Sequence, residues 1–346
     1  MISKERLETL RKEMEESQTP LFFYDNDTDG FCAFLILRRA LGRGKGVAIK
    51  SFPELKGQYL RKIDELNPDK VIILDKAEVD EEFIDGCEKR NVPIIWIDHH
   101  ESKTSKNLIS KTSYYNSLPD AEPTTYISQK VFNRKEDLWL AMIGSIGDVY
   151  MPEFAKDFEQ DFPELFSSEM TAFETLHKTE LGKMIRLINF GLMDTITNVV
   201  KLTKYLFKAN GPYDLLEENR NTRQLHKRFG ELNAFYNKQV EKARKESDNS
   251  KVIFFSYSGE ISMSSQIANR LYYENPKKLI VVAYKRQEKA NISIRGRRAL
   301  EITKKVVENI EGATGGGHEE ATGAMVPMES FEEFKGSIIK IVEESD

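Results

Sequence analysis

The amino-acid sequence predicts an α/β protein with an N-terminal parallel-sheet domain, a helical insertion and a smaller C-terminal α/β domain. From Leu21 to about Met151, near-continuous apolar runs alternate with amphipathic segments, which is typical of a parallel sheet covered by helices on both faces. Residues 152–249 have helical periodicity without strand-like alternation, and strand patterns return from Lys251. We therefore predict three parts, residues 1–151, 152–249 and 250–346.

Composition restricts the kinds of partner and compartment. The formal net charge of −5 gives no general attraction to nucleic acid, so local patches would have to hold such a partner. Cys32 and Cys87 lie in apolar surroundings without zinc-site spacing, which predicts a reducing compartment and no catalytic role. Residues 1–20 form a charged amphipathic segment unlike a signal peptide, and no apolar run approaches the roughly 20 residues that span a bilayer. We expect a cytosolic protein with no membrane partner.

The first candidate site residues are three alternating aspartates, Asp25, Asp27 and Asp29. They follow the apolar run 21–24 and precede Gly30 and an amphipathic run, an order that predicts a strand, a tight turn and a helix. Crowded carboxylates repel one another unless a cation lies between them, and oxygen ligands suit Mg²⁺ and Mn²⁺. A polar loop whose aspartates cap a helix explains this stretch equally well by itself.

The next strands also end in polar residues. We predict strands at 47–52, 70–74 and 92–97 and helices at 56–66 and 81–90. Asp75 follows the second of these strands, and Asp98, His99 and His100 follow the third. Ligands of open α/β sheets bind at the carboxyl ends of strands. We therefore expect these residues to meet Asp25 at one edge of the sheet.

A further candidate, Asp148, follows Gly147 where an apolar helix over 139–146 ends. An aspartate after glycine is commonly a turn or a cap, so this assignment depends on the other aspartates. Carboxylates combined with imidazole favour Mn²⁺, or Mg²⁺ with looser binding, over zinc. Two such ions would activate a water and stabilise displacement at phosphorus.

The helical insertion has an acidic first part, residues 153–174, and a basic last part, residues 220–245. Phe229, Phe235 and Tyr236 lie among the basic residues. A solvated helical hairpin and a nucleic-acid-binding face both account for this pattern.

The C-terminal part contains predicted strands at 252–257, 279–284 and 290–294 and helices at 262–273 and 300–310. Arg295 ends the third strand within a cluster of arginines, and three glycines precede His318. Consecutive glycines let the backbone approach a ligand and present N–H groups to phosphate. The combination predicts a loop that grips an anion or a nucleotide, with a flexible turn as the alternative.

Taken in order, these motifs resemble those of the DHH phosphoesterases. The resemblance is carried by Asp25-x-Asp27-x-Asp29-Gly30, Asp75, Asp98-His99-His100 and Gly147-Asp148. Ser293-x-Arg295 and the run Gly315, Gly316, Gly317, His318 resemble the DHH-associated C-terminal domain of the same superfamily. Within it, Phe23 stands where the pyrophosphatase and cyclic-dinucleotide branches carry histidine, and Asp25 adds a carboxylate. This pattern is similar to the RecJ single-strand exonucleases and their archaeal relatives.

Two departures from bacterial RecJ accompany the resemblance. No sequence remains for the additional oligonucleotide-binding barrel, and the glycine run is one residue shorter than the common form, with Thr314 before it. The resemblance, with these departures, implies weaker DNA affinity or a shorter substrate.

The resemblance also implies roles for individual residues. Asp25 and Asp27 would bind a first metal ion, Asp29, His99 and Asp148 a second, and Asp75 both. Asp98 would orient an imidazole, and His100 would contact the scissile phosphate or protonate the leaving oxygen. The phosphate of the terminal nucleotide would be held by Ser293, Arg295, Gly315, Gly316, Gly317 and His318. Tyr114 and Tyr115 could stack on bases, although core packing is the expected role.

The predicted function is therefore a two-metal exonuclease, using Mn²⁺ or Mg²⁺, that releases mononucleotides from single-stranded DNA or RNA in repair or replication. One alternative is a phosphodiesterase for very short oligonucleotides. Another is a replication scaffold similar to Cdc45 that docks a helicase or another replication-complex protein through the helical insertion. Each motif position keeps a plausible metal ligand, which favours an enzyme.

Overall fold

The computed structural model describes residues 1–49, 54–246 and 250–344. The chain divides into two compact units, residues 1–229 and 230–346. The first unit contains a parallel sheet followed by a helical region, and the second contains its own sheet, which confirms the predicted fold class. The division into three parts stays a prediction.

The sheet of the first unit has five strands in the order β2-β1-β4-β6-β7, and all neighbouring pairs are parallel. A short parallel pair, β3 and β5, lies outside it. The central strands are buried along their length because helices cover both faces of the sheet. The strands are β1 (Pro20–Asp25), β2 (Lys45–Ile49), β3 (Glu54–Leu55), β4 (Lys70–Leu74), β5 (Glu78–Val79), β6 (Ile94–Asp98) and β7 (Ser113–Asn116).

Helices before, between and after these strands complete the first unit. Residues 50–52 of the strand predicted at 47–52 lie outside the described residues, and β2 supplies its first part. The helices are α1 (Lys4–Glu16), α2 (Thr28–Leu41), α3 (Leu60–Leu66), α4 (Glu81–Lys89), α5 (Lys106–Ile109), α6 (Thr124–Phe132), α7 (Leu138–Gly147), α8 (Ala155–Asp161), α9 (Ala172–Lys178), α10 (Glu180–Leu192), α11 (Ile196–Leu206) and α12 (Pro212–Leu216).

The order of the central strands brings the strand-end aspartates together. Strands β1, β4 and β6 are neighbours, and Asp25 ends β1, Asp75 follows β4 and Asp98 ends β6. Gly30 allows the turn between β1 and α2, because a Cβ there would lie 2.7 Å from the carbonyl oxygen of Asp25. Asp27 then caps helix α2, since its Oδ1 accepts a hydrogen bond from the Gly30 N–H at 3.0 Å.

The edge strand β7 is absent from the sequence prediction. It carries the two tyrosines considered for base stacking. Tyr115 is buried, and the Tyr114 ring packs 4.7 Å from that of Trp96, measured between ring centres. Both tyrosines therefore contribute to packing around the sheet.

Helix α13 (Arg223–Glu246) corrects the helical hairpin considered for the basic segment, because it is one continuous helix. The residues on its apolar side are buried, Leu225, Leu232, Tyr236, Val240 and Ala243. Phe229 packs against Phe190, and Phe235 against Tyr257. Its aromatic side chains thus serve packing rather than forming an exposed stacking platform.

The second unit has a mixed sheet in the order β11-β12-β10-β9-β8. Strands β8 and β9 are parallel, and the remaining neighbours are antiparallel. The strands are β8 (Val252–Tyr257), β9 (Leu279–Lys285), β10 (Lys289–Arg295), β11 (Thr314–His318) and β12 (Ala321–Pro327). The helices are α14 (Ser264–Glu274), α15 (Ala299–Val307) and α16 (Phe331–Glu343).

The glycine run forms the edge strand β11, so the loop expected from the sequence is wrong. Pairing with β12 over Gly315↔Ala324 and His318↔Ala321 supplies backbone hydrogen bonds that the sequence pattern does not reveal. Gly317 has φ +137°, a conformation that favours glycine, and a Cβ there would lie 2.5 Å from the Ala321 carbonyl oxygen. Within the described parts of the chain, no helix is long and apolar enough to cross a membrane.

Candidate active site

Asp75 lies at the centre of the acidic cluster in the first unit. Two sets of side chains each bring their ligand atoms within 4.8 Å of one another, Asp25 with Asp27 and Asp75, and His99 with His100 and Asp75. Asp75 is the member that both sets share. Its backbone has φ +58°, an uncommon conformation for an aspartate that is held at the end of a buried strand.

His99 faces three carboxylates. Its Nε2 lies 3.3 Å from Oδ1 of Asp75, 3.7 Å from Oδ2 of Asp148 and 3.9 Å from Oδ2 of Asp29. Asp29 and Asp75 are buried, whereas the Asp148 side chain is 39% exposed at the end of α7. The structure therefore brings the residue after β4, a residue of α2 and the residue after α7 around the imidazole that follows β6.

His100 is held by Asp98. Nδ1 of His100 lies 2.9 Å from Oδ1 of Asp98, and the His100 backbone N–H donates to Oδ2 at 3.1 Å. Nδ1 also lies 3.7 Å from Oδ1 of Asp75. The arrangement fixes the imidazole relative to its own backbone beside the central carboxylate.

The carboxylate of Asp29 is bound by the start of helix α6. Its two oxygens accept hydrogen bonds from the backbone N–H groups of Thr124 and Thr125, each at 2.8 Å. Oγ1 of Thr125 also donates to the Asp29 carbonyl at 2.7 Å. The sequence analysis did not identify these two threonines. The available signal was their position directly after Pro123, a residue that often stands at the start of a helix.

Lys76 is a second residue that sequence reasoning missed. Its side chain is 1% exposed, and Nζ lies 3.1 Å from Oδ1 of Asp25. The Trp96 indole N–H donates to the Lys76 carbonyl at 2.9 Å, which holds this turn against β6. The only sequence signal was a lysine directly after the strand-end Asp75.

The ionisable groups of the site perturb one another strongly. Burial opposes ionisation of Asp75, but neighbouring His99, His100 and Lys76 hold the pKa of this carboxyl at about 2. Burial and the charge of Asp75 raise the pKa of Asp29 to about 8. Burial lowers the pKa of His99, yet the surrounding carboxylates outweigh it and raise that pKa well above its usual value. Such opposing shifts are typical of functional clusters.

The donor set fits divalent cations. Oδ1 of Asp75 is buried and makes no well-aligned hydrogen bond within the described residues, although it lies 3.3 Å from Nε2 of His99 and 3.7 Å from Nδ1 of His100. A buried carboxylate oxygen without a hydrogen bond is costly unless a cation satisfies it. Carboxylate oxygens with imidazole nitrogen are suitable ligands for Mn²⁺ and Mg²⁺.

The candidate substrate-binding residues of the second unit lie near the ends of β10 and β11. The Arg295 guanidinium donates to Oδ1 of Asn269 at 2.6 Å, to Oγ of Ser265 at 2.9 Å and to the Thr322 carbonyl at 3.2 Å. Burial lowers the pKa of Arg295 to about 10. These partners are neutral oxygens, so they orient the guanidinium without cancelling its charge.

The other candidates differ in exposure. Ser293 is buried, and its Oγ lies 2.9 Å from Oγ of Ser264. Gly315, Gly317 and His318 are exposed. Gly316 is partly buried, although a Cβ there would meet no atom within 4 Å. The edge strand therefore offers accessible backbone on one side.

A cavity of about 160 Å³ in the second unit is strongly basic. Its polar lining comes from the segment before β9, from the residues after β10 and from Lys251. Arg298 forms a two-bond ion pair with Glu301, which offsets part of this charge. The basic lining residues are Lys251, Lys277, Lys278, Arg297 and Arg298.

Family models match both units. The model of the DHH family, N-terminal domain, matches residues 21–143, and the model of the DHHA1 domain matches residues 243–344. The chain therefore belongs to the DHH family, whose fold is that of metal-dependent phosphoesterases. Its combination of domains is consistent with the RecJ-like branch of the superfamily.

Solved structures share this fold at low sequence identity. RecJ of Thermus thermophilus in complex with Mn²⁺ has 14% identity and a TM-score of 0.70, with 100% of this chain and 56% of that chain covered. Exonuclease RecJ bound to manganese has 15% identity and a TM-score of 0.66, with 100% and 96% covered. A pGpG-specific phosphodiesterase, PggH of Vibrio cholerae, has 12% identity and a TM-score of 0.51, with 95% and 100% covered. The chain thus spans little more than half the length of the Thermus protein.

Among curated proteins, no sequence matches this chain significantly.

Proposed function

We propose that this protein is a two-metal phosphodiesterase, a RecJ-like exonuclease that releases mononucleotides from single-stranded DNA. The observation that carries the proposal is the position of Asp75, which belongs to two potential ligand groups at once. One carboxylate that serves both groups is suited to hold two cations close together. The solved RecJ structures with manganese support the choice of Mn²⁺, with Mg²⁺ as the alternative.

The predicted ligands form two metal subsites that share Asp75, and the second subsite has Asp29 and Asp148 in place of His100 beside His99. Asp25 and Asp27 would hold one cation, with Asp75 shared, and the other would be held by Asp29, His99 and Asp148. When bound, divalent cations polarise a phosphoryl oxygen and lower the pKa of a bound water. Thr124 and Thr125 fix the Asp29 carboxylate, which positions it beside His99.

His100 is suited to proton transfer. Asp98 faces Nδ1, so this nitrogen carries a proton towards the carboxylate. Burial lowers the pKa of His100, but the hydrogen bond with Asp98 and the charge of Asp75 outweigh it and raise that pKa. A raised pKa favours the protonated imidazole, which is the form that can act as an acid towards the leaving oxygen.

The second unit would bind the substrate phosphate. Arg295, oriented by neutral partners, would bring a positive charge to a terminal phosphate. Ser293 and the accessible backbone of Gly315, Gly316 and Gly317, followed by His318, would complete this contact. The basic cavity supports a polyanionic substrate, because single-stranded nucleic acid is bound largely through its phosphates.

Two other functions use the same fold. A phosphodiesterase for very short oligonucleotides is favoured by the similarity to the pGpG-specific enzyme and by the short glycine run. A scaffold that docks a helicase or another replication protein through the helical region would not need the ligand set. The presence of a plausible ligand at each motif position favours catalysis over the scaffold. A role of this activity in DNA repair or replication is part of the proposal.

The test is digestion of end-labelled single-stranded DNA and RNA, long and very short, with Mn²⁺ or with EDTA. Metal-dependent release of mononucleotides from long DNA is the expected result, and the position of the label gives the polarity. Binding to uncleaved DNA in EDTA should weaken steeply with salt. Cleavage confined to di- to tetranucleotides would support the short-substrate enzyme, and no cleavage of any strand would support the scaffold.

A further inference from the structure

Lys76 places a buried positive charge inside the candidate metal centre. Its Nζ lies 3.1 Å from Oδ1 of Asp25, and its side chain is 1% exposed. Burying an ammonium group costs free energy unless a partner compensates it, so a lysine here has to be matched to the carboxylates around it. Lys76 also interacts electrostatically with Asp75, the carboxylate that both ligand groups share.

The turn that carries Lys76 is fixed on both sides. Trp96 donates its indole N–H to the Lys76 carbonyl, and the Asp75 N–H donates to the Ile97 carbonyl at 3.0 Å. Both contacts join this turn to the neighbouring strand β6. The ammonium group is therefore positioned by the sheet that also positions the aspartates.

The ion pair engages one of the two carboxylate oxygens that Asp25 could offer to a metal. Oδ1 of Asp25 accepts the Asn26 N–H at 2.9 Å as well as contacting Lys76. A divalent cation held by Asp25, Asp27 and Asp75 would lie beside this ammonium group, and two neighbouring positive charges repel each other. Nε2 of His99, in contrast, faces the carboxylates of Asp29, Asp75 and Asp148, and an imidazole nitrogen can itself bind a metal, whereas an ammonium group cannot.

We propose that Lys76 makes the Asp25–Asp27–Asp75 group the weaker of two metal subsites. Without metal, the Lys76 ammonium group pairs with the Asp25 carboxylate. The first cation therefore binds at the other subsite, which is formed by Asp29, His99 and Asp148. The second cation binds tightly only when a substrate phosphate adds negative charge to the site. Lys76 is thus a positioning residue that couples the second metal to the substrate, and this inference rests on the proposed two-metal function.

The experiment is a titration of the metal-stripped, full-length protein with Mn²⁺, with the free ion followed by electron paramagnetic resonance. The wild type should show one tight and one weak site. Lys76→Met, which removes the charge and keeps an apolar chain, should tighten the weak site by at least about tenfold. Lys76→Arg should keep it weak. Lys103→Met is the matched control, because Lys103 is 83% exposed in the same unit, and its isotherm should equal that of the wild type.

A second measurement covers the case in which Lys76→Met does not fold. Thymidine 5′-monophosphate added to the wild type should tighten the weak Mn²⁺ site and leave the tight one unchanged. Two equally tight sites in the wild type, or a weak site unaffected by the nucleotide, would overturn the inference. So would identical isotherms of the wild type and a folded Lys76→Met variant.

The metal titration and the nuclease assay test the two proposals independently. If the wild type cleaves DNA with Mn²⁺ but Lys76→Met binds Mn²⁺ as the wild type does, the role of Lys76 is wrong and the proposed function stands. If the isotherms differ as expected and no strand is cleaved, the metal subsites are as proposed and the exonuclease function is wrong.

Discussion

Both carboxylate oxygens of Asp98 bind the same histidine, His100. Oδ1 lies 2.9 Å from Nδ1 of the ring, and Oδ2 accepts the backbone N–H at 3.1 Å. Asp98 is fully buried at the end of β6, so its two contacts fix the orientation of the His100 ring relative to this strand. This pair orients an imidazole beside Asp75, and it can be tested apart from the metal ligands.

Asp98→Asn should lower kcat by about 10–100-fold and change KM little. Asparagine keeps the shape of the carboxylate, but its neutral amide stabilises a protonated imidazole less well. The measurement is steady-state hydrolysis of a single-stranded oligonucleotide in Mn²⁺. In a His100→Ala background, Asp98→Asn should lower kcat far less, because the imidazole that Asp98 orients is absent. An equal cost in both backgrounds would show that Asp98 acts elsewhere.

Asp75→Ala should abolish Mn²⁺-dependent hydrolysis, because the substitution removes the one carboxylate that both ligand groups share. The measurements are Mn²⁺ stoichiometry and hydrolysis rate on the same preparation. Asp85→Ala serves as the control, since Asp85 forms a surface ion pair with Lys111 at 2.8 Å and should be dispensable for both. Full hydrolysis by Asp75→Ala would contradict the two-metal proposal.

The sequence predicted the acidic centre because its residues follow a topological rule. Apolar strands that end in Asp25, Asp75 and Asp98 must bring these residues to one edge if the strands are parallel neighbours, as they are. The sequence did not reveal Lys76 or Thr124, because their roles depend on tertiary contacts. The Lys76 ammonium reaches Asp25 across the sheet, and the Thr124 N–H reaches Asp29 across 95 residues of chain.

The sequence analysis did not predict the edge strands β7 and β11, and the reason is related. Strand β7 is only four residues long, and β11 consists largely of glycine, which has low strand propensity. Pairing with β6 and β12 forms these strands in spite of their composition. Local pattern therefore predicted the apolar strands, including the edge strand β8, but missed β7, β11 and β12.

Glu274 should make the second unit sensitive to acid. Partial burial raises the pKa of this carboxyl, but the guanidinium groups of Arg244 and Arg270 outweigh it and lower the pKa below its usual 4.5. A lowered native pKa contributes stability above the unfolded-state value, and this contribution is lost as the pH falls through the native value. Glu274→Gln should therefore destabilise the protein by about 1 kcal/mol near pH 7 and by less near pH 3.

The measurement for Glu274 is urea unfolding at both pH values, followed by a probe in the second unit. Glu332→Gln is the control, because Glu332 is exposed in the first turn of α16 and its effect should be small at either pH. A constant difference between wild type and Glu274→Gln across the pH range would show that packing, rather than charge, carries the effect.

Arg295→Ala should raise KM for a single-stranded oligonucleotide by about tenfold or more and leave kcat nearly unchanged, because a phosphate contact made equally in ground and transition states is lost. Arg295 also donates to Asn269 and Ser265, so a melting curve must accompany the kinetics. Arg286→Ala removes an exposed arginine from the same unit and should leave both constants unchanged. Arg295→Lys keeps the charge without the planar fork and should give an intermediate KM. A fall in kcat alone, in a variant that melts like the wild type, would place this guanidinium in the chemical step.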